Sequence, residues 1–265
     1  MAARLVACDL DGTLIARDNR LSSRVSAAVA GALDAGLWVV AVTGRPWQWT
    51  LPLAREHRLL PAAVCSNGAA LVDVESGEVT HTGLDDDLVP PLVARVRDVA
   101  PGVVFALDRI DRLAHERGFL PSEDPGNTVS TTVDDIVSQL DRGVVKLIAR
   151  LPGTPASVLA ALLDHEVLAG VCEPAFGRSE WVELLPIGAS KASGLAALCE
   201  RLGVDRHDVV AVGDEWNDVA MLEWAGVGVA CGDLVPEVVA AADRVVPPAS
   251  EDGVALLLEE LVAQR

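Results

Sequence analysis

The stretch Leu5-Val6-Ala7-Cys8-Asp9-Leu10-Asp11-Gly12-Thr13 decides how the rest of the chain is read. Its first four residues form a continuous apolar run that ends at a turn-forming Asp-Gly, the pattern of a strand buried on both faces of a parallel sheet. Groups that follow such a strand emerge at its carboxyl end, where open α/β sheets bind ligands. Asp9 and Asp11 sit two apart there, so a carboxylate can meet a cation while the next residues turn and present backbone groups. Such a pair can divide labour: an ionised carboxylate attacks phosphorus, and a protonated neighbour gives its proton to the departing alkoxide. Taken alone, an Asp-Gly turn after a strand is common and structural.

Outward from this stretch, Ser22 or Ser23 caps a helix through about Asp34, with Val25, Val29, Ala32 and Leu33 on one face and Gly36 as the stop. A second buried strand, Leu37 to Val42, ends at Thr43-Gly44-Arg45. Strand, helix, strand in this order is a right-handed crossover, which sets Asp9 and Thr43 side by side at neighbouring strand ends. The rhythm resumes late, with a helix Lys191 to Leu202, a strand Val209 to Val212, a helix from about Trp216 to Trp224 and a strand Val227 to Ala230. A strand Arg244 to Val246 and a helix Glu251 to about Val262 close the chain.

The middle reads differently. Strands Val103–Leu107, Arg112–Glu116, Val144–Arg150 and Trp181–Leu185 alternate with helices near Leu88–Val99, Val133–Leu140 and Pro155–His165, an α+β mixture. The expected class is α/β, a Rossmann-like parallel-sheet core over 1–83 and 187–265 with an inserted α+β cap domain over 84–186. Gly83 and Gly188 stand at its borders as candidate hinges.

The 265 residues carry a formal net charge of -18, which leaves no general basic surface for nucleic acid or anionic membranes. The apolar run before Asp9 is too short for a signal peptide or a membrane span, so a cytoplasmic protein is expected, a monomer or weak homo-oligomer. Five scattered cysteines without a Cys-x-x-Cys pair argue against disulfides and zinc and for small buried residues.

A second acidic cluster, Gly213-Asp214-Glu215-Trp216-Asn217-Asp218, also follows a buried strand and opens a helix. With Asp9 and the Asp11 backbone carbonyl, Asp214 makes an oxygen-rich set suited to Mg2+. Helix capping by Asp214 and Asn217 is the structural alternative. Lys191 stands out because only it and Lys146 are lysine among twenty-one basic residues. A compact ammonium can neutralise both an attacking aspartate and a phosphoryl oxygen; the structural alternative is a solvated residue in the first turn of a helix. Lys146, inside an apolar strand pattern, is assigned to structure or to the cap's surface. Thr43 and Gly44 can hold phosphate oxygens through a hydroxyl and backbone amides. Asn67-Gly68 reads as a turn, or as a loop lining the same crevice.

In order, these stretches resemble the haloacid dehalogenase superfamily of phosphohydrolases, in its Cof-type branch with a large α/β cap. The resemblance rests on Asp9-Leu10-Asp11-Gly12-Thr13, Thr43-Gly44-Arg45, Ser190-Lys191 and Gly213-Asp214 with Asn217-Asp218, and covers nearly the whole chain. It implies Asp9 as nucleophile, Asp11 as acid and then base, and magnesium on Asp9, the Asp11 carbonyl and Asp214. It further implies Thr43, Lys191 and Asn217 on the phosphoryl group, with Asp218 supporting the metal or Lys191. Cys231-Gly232-Asp233 departs from the branch's usual Gly-Asn-Ala, and Trp216 is a bulky choice inside the acidic loop. The substrate implied is a small phosphorylated metabolite.

Arg109, Arg112, Arg117 and Arg178 are candidates for a second anionic group of the substrate or for a solvated face. A cysteine-dependent phosphatase is considered because Cys172 and Arg178 stand at Cys-x5-Arg spacing. Pro174 and Glu173 argue against it, by removing an amide and adding repulsion. A phosphotransferase or mutase would share the chemistry as far as the aspartyl phosphate. A non-catalytic phospholigand-binding module would normally have lost one of the key groups, and none is missing.

Overall fold

The apolar run before Asp9 forms a strand with all four side chains buried. The molecule, a computed structural model, is described over residues 3–16, 20–120, 130–140, 143–177, 180–232 and 235–265. Its elements are β1 (Leu5–Cys8), α1 (Ser23–Asp34), β2 (Trp38–Ala41), α2 (Trp47–Glu56), β3 (Ala62–Cys65), β4 (Ala70–Asp73) and β5 (Val79–His81). Next come α3 (Val89–Val99), β6 (Val104–Arg109), β7 (Leu113–Glu116), β8 (Ser130–Val133), β9 (Val144–Arg150), α4 (Ala156–Leu162), α5 (His165–Leu168), β10 (Glu173–Ala175) and β11 (Trp181–Leu185). The chain closes with α6 (Lys191–Leu202), β12 (Val209–Gly213), α7 (Val219–Trp224), β13 (Val227–Cys231), α8 (Pro236–Ala241), β14 (Arg244–Val246) and α9 (Gly253–Ala263). They divide into two compact units, Met1–Thr80 with Ser190–Arg265, and His81–Ala189.

The first unit is built on a five-stranded sheet in the order β14-β13-β12-β1-β2, parallel throughout. From β1 the chain runs outward to β2 on one side, while β12, β13 and β14 run outward on the other, so the strand order reverses beside β1. That reversal opens a crevice at the carboxyl ends of β1 and β12. Leu5 and Ala7 share one core cluster with Leu195 and Leu198 of α6 and Met221 and Leu222 of α7. Each fully buried Leu or Met contributes roughly 1.5–3 kcal/mol. Helices α1 and α9 pack on each other. Ser22 caps α1 by accepting from the Val25 amide at 3.1 Å, and Val25, Val29 and Ala32 are its buried face. A small antiparallel sheet, β3-β4-β5, adds to the unit and meets the extension of β2 through a parallel bridge between Val42 and Val64. The sequence pattern did not announce these three short strands or α2.

The second unit carries a six-stranded sheet in the order β10-β11-β9-β6-β7-β8. The pairs are antiparallel except β7 with β8. One face, with Phe105, Leu107, Leu147, Val182 and Leu184, joins Leu92 and Val96 of α3 and Leu159 of α4 in a single core. The fold is therefore α/β, a parallel sheet with additional antiparallel sheets.

Several local expectations need correction. Val133 ends strand β8, and only a 3-10 turn, Ile136–Gln139, follows in place of a helix. β-Branched Thr131, Thr132 and Val133 favour the strand, and the Asp135 carboxylate accepts from the Val137 amide to open the turn. The helix expected over Pro155–His165 breaks at Leu163, because Asp164 accepts from the amides of Glu166 and Val167 and starts a new one. The last helix begins at Gly253, since Asp252 adopts a left-handed conformation with φ 57° after a 3-10 turn. Lys146 is fully buried in β9, its Nζ 2.8 Å from Glu183 Oε1, and does not lie on the surface. Gly83 lies inside the second unit, where a Cβ would stand 2.6 Å from the Val144 carbonyl oxygen. No helix among the described residues is long and apolar enough to cross a membrane.

Candidate active site

Strands β1 and β12 run parallel in register, Cys8 beside Val212, so the residues that follow them leave the sheet at the same end. Asp9 follows the first and Asp214 the second. The chain then turns tightly after β1: Leu14 and Ile15 donate their amides to the carbonyls of Asp9 and Leu10. Thr13 Oγ1 donates to Asp214 Oδ1 at 2.8 Å, a tie between positions 201 residues apart. Gly12 has φ +94°, and a Cβ there would stand 2.4 Å from Asp214 Oδ2. A side chain would occupy the space of the carboxylate.

Lys191, the first residue of α6, reaches between two carboxylates. Its Nζ donates to Asp9 Oδ1 at 2.5 Å and to Asp218 Oδ1 at 2.7 Å. All three side chains are nearly inaccessible. A capping box at Ser190 and Ser193 starts the helix. Close packing against the 66–68 turn fixes its height: a Cβ on Gly68 would stand 1.9 Å from the Ser190 carbonyl oxygen, and one on Gly194 2.6 Å from Gly68 Cα. Asp218 is fully engaged, with Oδ1 on Lys191 and Oδ2 accepting from the Asp214 and Glu215 amides at 3.0 Å each.

Oxygens of Asp9, Asp214 and Asp218 lie within 4.8 Å of one another. Three carboxyl groups face one ammonium in a buried place; with all three ionised, the surplus is two negative charges. Burial raises the Asp9 carboxyl well above its ordinary value, with Lys191 opposing and Asp218 and Asp214 adding to the rise. Burial likewise lifts Asp214 to about 6 against the Thr13 hydrogen bond. Burial works against the Lys191 ammonium, but Asp218 and Asp9 outweigh it and hold the lysine charged. A hard divalent cation fits this surplus and these oxygen donors. Since Asp218 is spent on Lys191 and two amides, Asp9 and Asp214 are the carboxylates left to meet it.

Thr43 is buried beyond the end of β2, and its Oγ1 accepts from the Arg45 amide at 3.1 Å. Gly44 is close to Asn67: a Cβ would be 3.3 Å from Asn67 Nδ2. Asn217 Nδ2 donates to Asn67 Oδ1 at 3.0 Å, which joins the acidic loop to the 66–68 turn. Asp11 stands apart from the buried cluster. Its carboxylate is more than half exposed and accepts from Arg45 Nε at 2.7 Å and from Arg45 Nη2 on its other oxygen. The motif readings gave no role to Thr13 or Arg45. Arg45 was visible in Thr-Gly-Arg, but its partner was not.

Of the arginine candidates, Arg109 is buried on Asp111 and Gln139, and Arg117 is an exposed partner of Asp134. Arg112 is exposed, and Arg178 lies outside the described residues, as does Asp233. All five cysteines are buried and free. Burial pushes the Cys172 thiol up to about 12, which removes the thiolate that a cysteine-dependent mechanism needs.

A family model described as haloacid dehalogenase-like hydrolase matches residues 6–258. A 5-amino-6-(5-phospho-D-ribitylamino)uracil phosphatase of Bacillus subtilis (strain 168), YitU, is 30% identical over 97% of this chain and 96% of its own length. The pyridoxal phosphate phosphatase YbhA of Escherichia coli (strain K12) is 29% identical over 96% of this chain and 97% of its own. Among solved structures, a haloacid dehalogenase-like hydrolase from Bacteroides thetaiotaomicron superposes with a TM-score of 0.82 at 27% identity, covering 98% of this chain and 99% of that one.

Proposed function

Given that this chain belongs to the haloacid dehalogenase-like hydrolases and is an enzyme of the phosphatase class, we propose a magnesium-dependent phosphomonoester hydrolase that works through an aspartyl phosphate on Asp9. The observation that supports it best is the Lys191 ammonium set between Asp9 and Asp218, beside Asp214.

Asp9 attacks phosphorus, the P–O ester bond breaks, and the departing alkoxide takes a proton from Asp11. Water then attacks the aspartyl phosphate, Asp11 accepts its proton, and inorganic phosphate leaves with Asp9 restored. Lys191 lowers the repulsion between Asp9 and an anionic phosphoryl group, and Asp218 holds the lysine in place. Thr43, the Gly44 amide and Asn217 bind phosphoryl oxygens. Asp9, Asp214 and the Asp11 carbonyl would hold Mg2+, which supplies charge neutralisation at the phosphoryl group. The inserted unit, taken as 84–186, acts as the cap that reads the organic part of the substrate. The relatives' names, for a phosphorylated ribitylaminouracil and for pyridoxal phosphate, support a small phosphorylated metabolite.

The test is phosphate release from a panel of phosphomonoesters with Mg2+ or with chelator. Asp9→Asn is expected to lower turnover roughly 10³-fold or more, and chelator to abolish it reversibly. Undiminished turnover by Asp9→Asn would sink the mechanism.

A further inference from the structure

Asn67-Gly68, a candidate lining of the crevice, has no part in the chemistry above. Three successive residues of this turn have positive φ: Ser66 at 52°, Asn67 at 52° and Gly68 at 92°. Glycine adopts that region freely, whereas a side chain is disfavoured in it, asparagine less than most. On structural grounds alone Asn67 is a turn residue chosen for tolerance. Glycine at 67 would satisfy the same backbone without strain, so the side chain itself calls for a reason.

The backbone of this turn is stitched to the loop that carries Thr43 and Gly44. Asn67 donates its amide to the Thr43 carbonyl and Ser66 donates to the Arg45 carbonyl, at 3.0 Å each. Asn67 is only 4% exposed. Its carboxamide lies beside Gly44, whose notional Cβ would stand 3.3 Å from Nδ2 and 3.4 Å from Oδ1. The same Oδ1 accepts from Asn217 Nδ2 at 3.0 Å, across 150 residues of sequence. One buried side chain therefore joins the Thr43 loop to the acidic loop.

Asn217 depends on that bond for its orientation. Asn67 is the only hydrogen-bond partner of its side chain among the described residues, and Asn217 Oδ1 is buried there without one. A carboxamide nitrogen carries two hydrogens in one plane. With one of them held by Asn67, the second N–H has a single direction. A carboxamide left free would have to be ordered each time it met an anion, and that ordering would be subtracted from affinity.

We propose that Asn67 is a positioning residue for phosphoryl transfer: it holds one N–H of Asn217 so that the other is presented to a phosphoryl oxygen. Asn67 acts through Asn217 and touches no reacting atom. The inference rests on the phosphatase reading above and adds to it a residue which that reading does not use.

The test is the dissociation constant of inorganic phosphate, by calorimetry with Mg2+ present, alongside kcat and KM for p-nitrophenyl phosphate. It compares the wild type, Asn67→Gly, Asn217→Ala and the double variant. Asn67→Gly relieves the backbone, so its melting temperature stays level or rises, while its phosphate affinity falls about tenfold, the weight of one hydrogen bond to a charged group. Asn217→Ala loses about as much, and the double variant loses no more than either alone. Unchanged phosphate affinity in Asn67→Gly, or losses that add in the double variant, overturns the proposal. Nuclear magnetic resonance of the wild type gives a check that needs no substitution at 67, and it decides if Asn67→Gly does not fold. Added phosphate shifts one proton of the Asn217 side-chain amide far more than the other, which Asn67 holds; comparable shifts of both overturn the proposal. If the wild type neither hydrolyses an ester nor binds phosphate, the phosphatase reading has failed and the proposal with it. Hydrolysis with intact phosphate affinity in Asn67→Gly sinks the proposal alone.

Discussion

At Gly12 a single methyl group would collide with the carboxylate of Asp214 while straining a backbone held at φ +94°. Gly12→Ala is therefore expected to cost about 1–3 kcal/mol in stability and to weaken Mg2+ binding, both measurable as a lower melting temperature and a higher magnesium requirement for turnover. Arg45 invites a second substitution. It grips Asp11 with two nitrogens, so Arg45→Ala should leave Asp11 poorly aimed and lower turnover of alkyl phosphates by about 10–100-fold. The loss should be smaller for p-nitrophenyl phosphate, whose leaving group needs little protonation; equal losses on both would contradict the aiming role. Asp9, Asp214 and Lys191 were legible because each is a reactive type in a place the local pattern makes meaningful. Their pairing was not, since the Thr13–Asp214 and Lys191–Asp218 bonds join positions 201 and 27 residues apart. Remote hydrogen bonds leave no mark in local periodicity.

Helix α6 illustrates the same point for whole elements. Its bounds follow from the Ser190 cap and from Gly203, and the sequence marked both Lys191 and Leu202 as its ends. What it rests on could not be read: the contact of Gly194 with Gly68 and Val64 depends on a turn far back in the chain. Gly194→Ala should push the first turn of α6 away from that turn and carry Lys191 with it. The expected result is lost turnover and a melting temperature lower by roughly 2–4 °C for each kcal/mol lost. Gly31, in α1, has nothing within 4 Å of its notional Cβ. There the same replacement should be neutral or stabilise by about 0.5–1 kcal/mol through helix propensity. Strands buried on both faces were the clearest signal in the sequence, as in β1, β2, β12 and β13. The 3-10 turns, β3, β4 and β8 escaped it; β8, Ser-Thr-Thr-Val and partly exposed, lacks the continuous apolar run that marks a strand buried on both faces.

For the molecule as a whole, acidity and the buried carboxylates combine in one pH effect. Asp214 is raised to about 6 by burial, from an unfolded value near 3.9. Between those values the folded protein holds a proton that the unfolded chain has released, so this group's contribution falls as pH rises through about 4 to 6, by up to ~3 kcal/mol. A magnesium ion held by Asp9 and Asp214, as proposed, would compete with that proton. The rise in melting temperature produced by Mg2+ should therefore be larger near pH 7.5 than near pH 5.5, and Asp214→Asn should remove most of the difference. With a net charge of -18, the rest of the surface repels phosphate esters, so on the proposed mechanism the attraction would fall to the cation and Lys191. The topology has a further consequence, for the order of assembly. Strand β1 occupies the sheet interior, and its partner Val209 for Leu5 is made about two hundred residues later. During synthesis the contiguous 81–189 unit is complete before either β12 or Lys191 has emerged. The nascent β1 must therefore remain soluble with its β12-facing edge open, and the candidate site closes among the last events of folding.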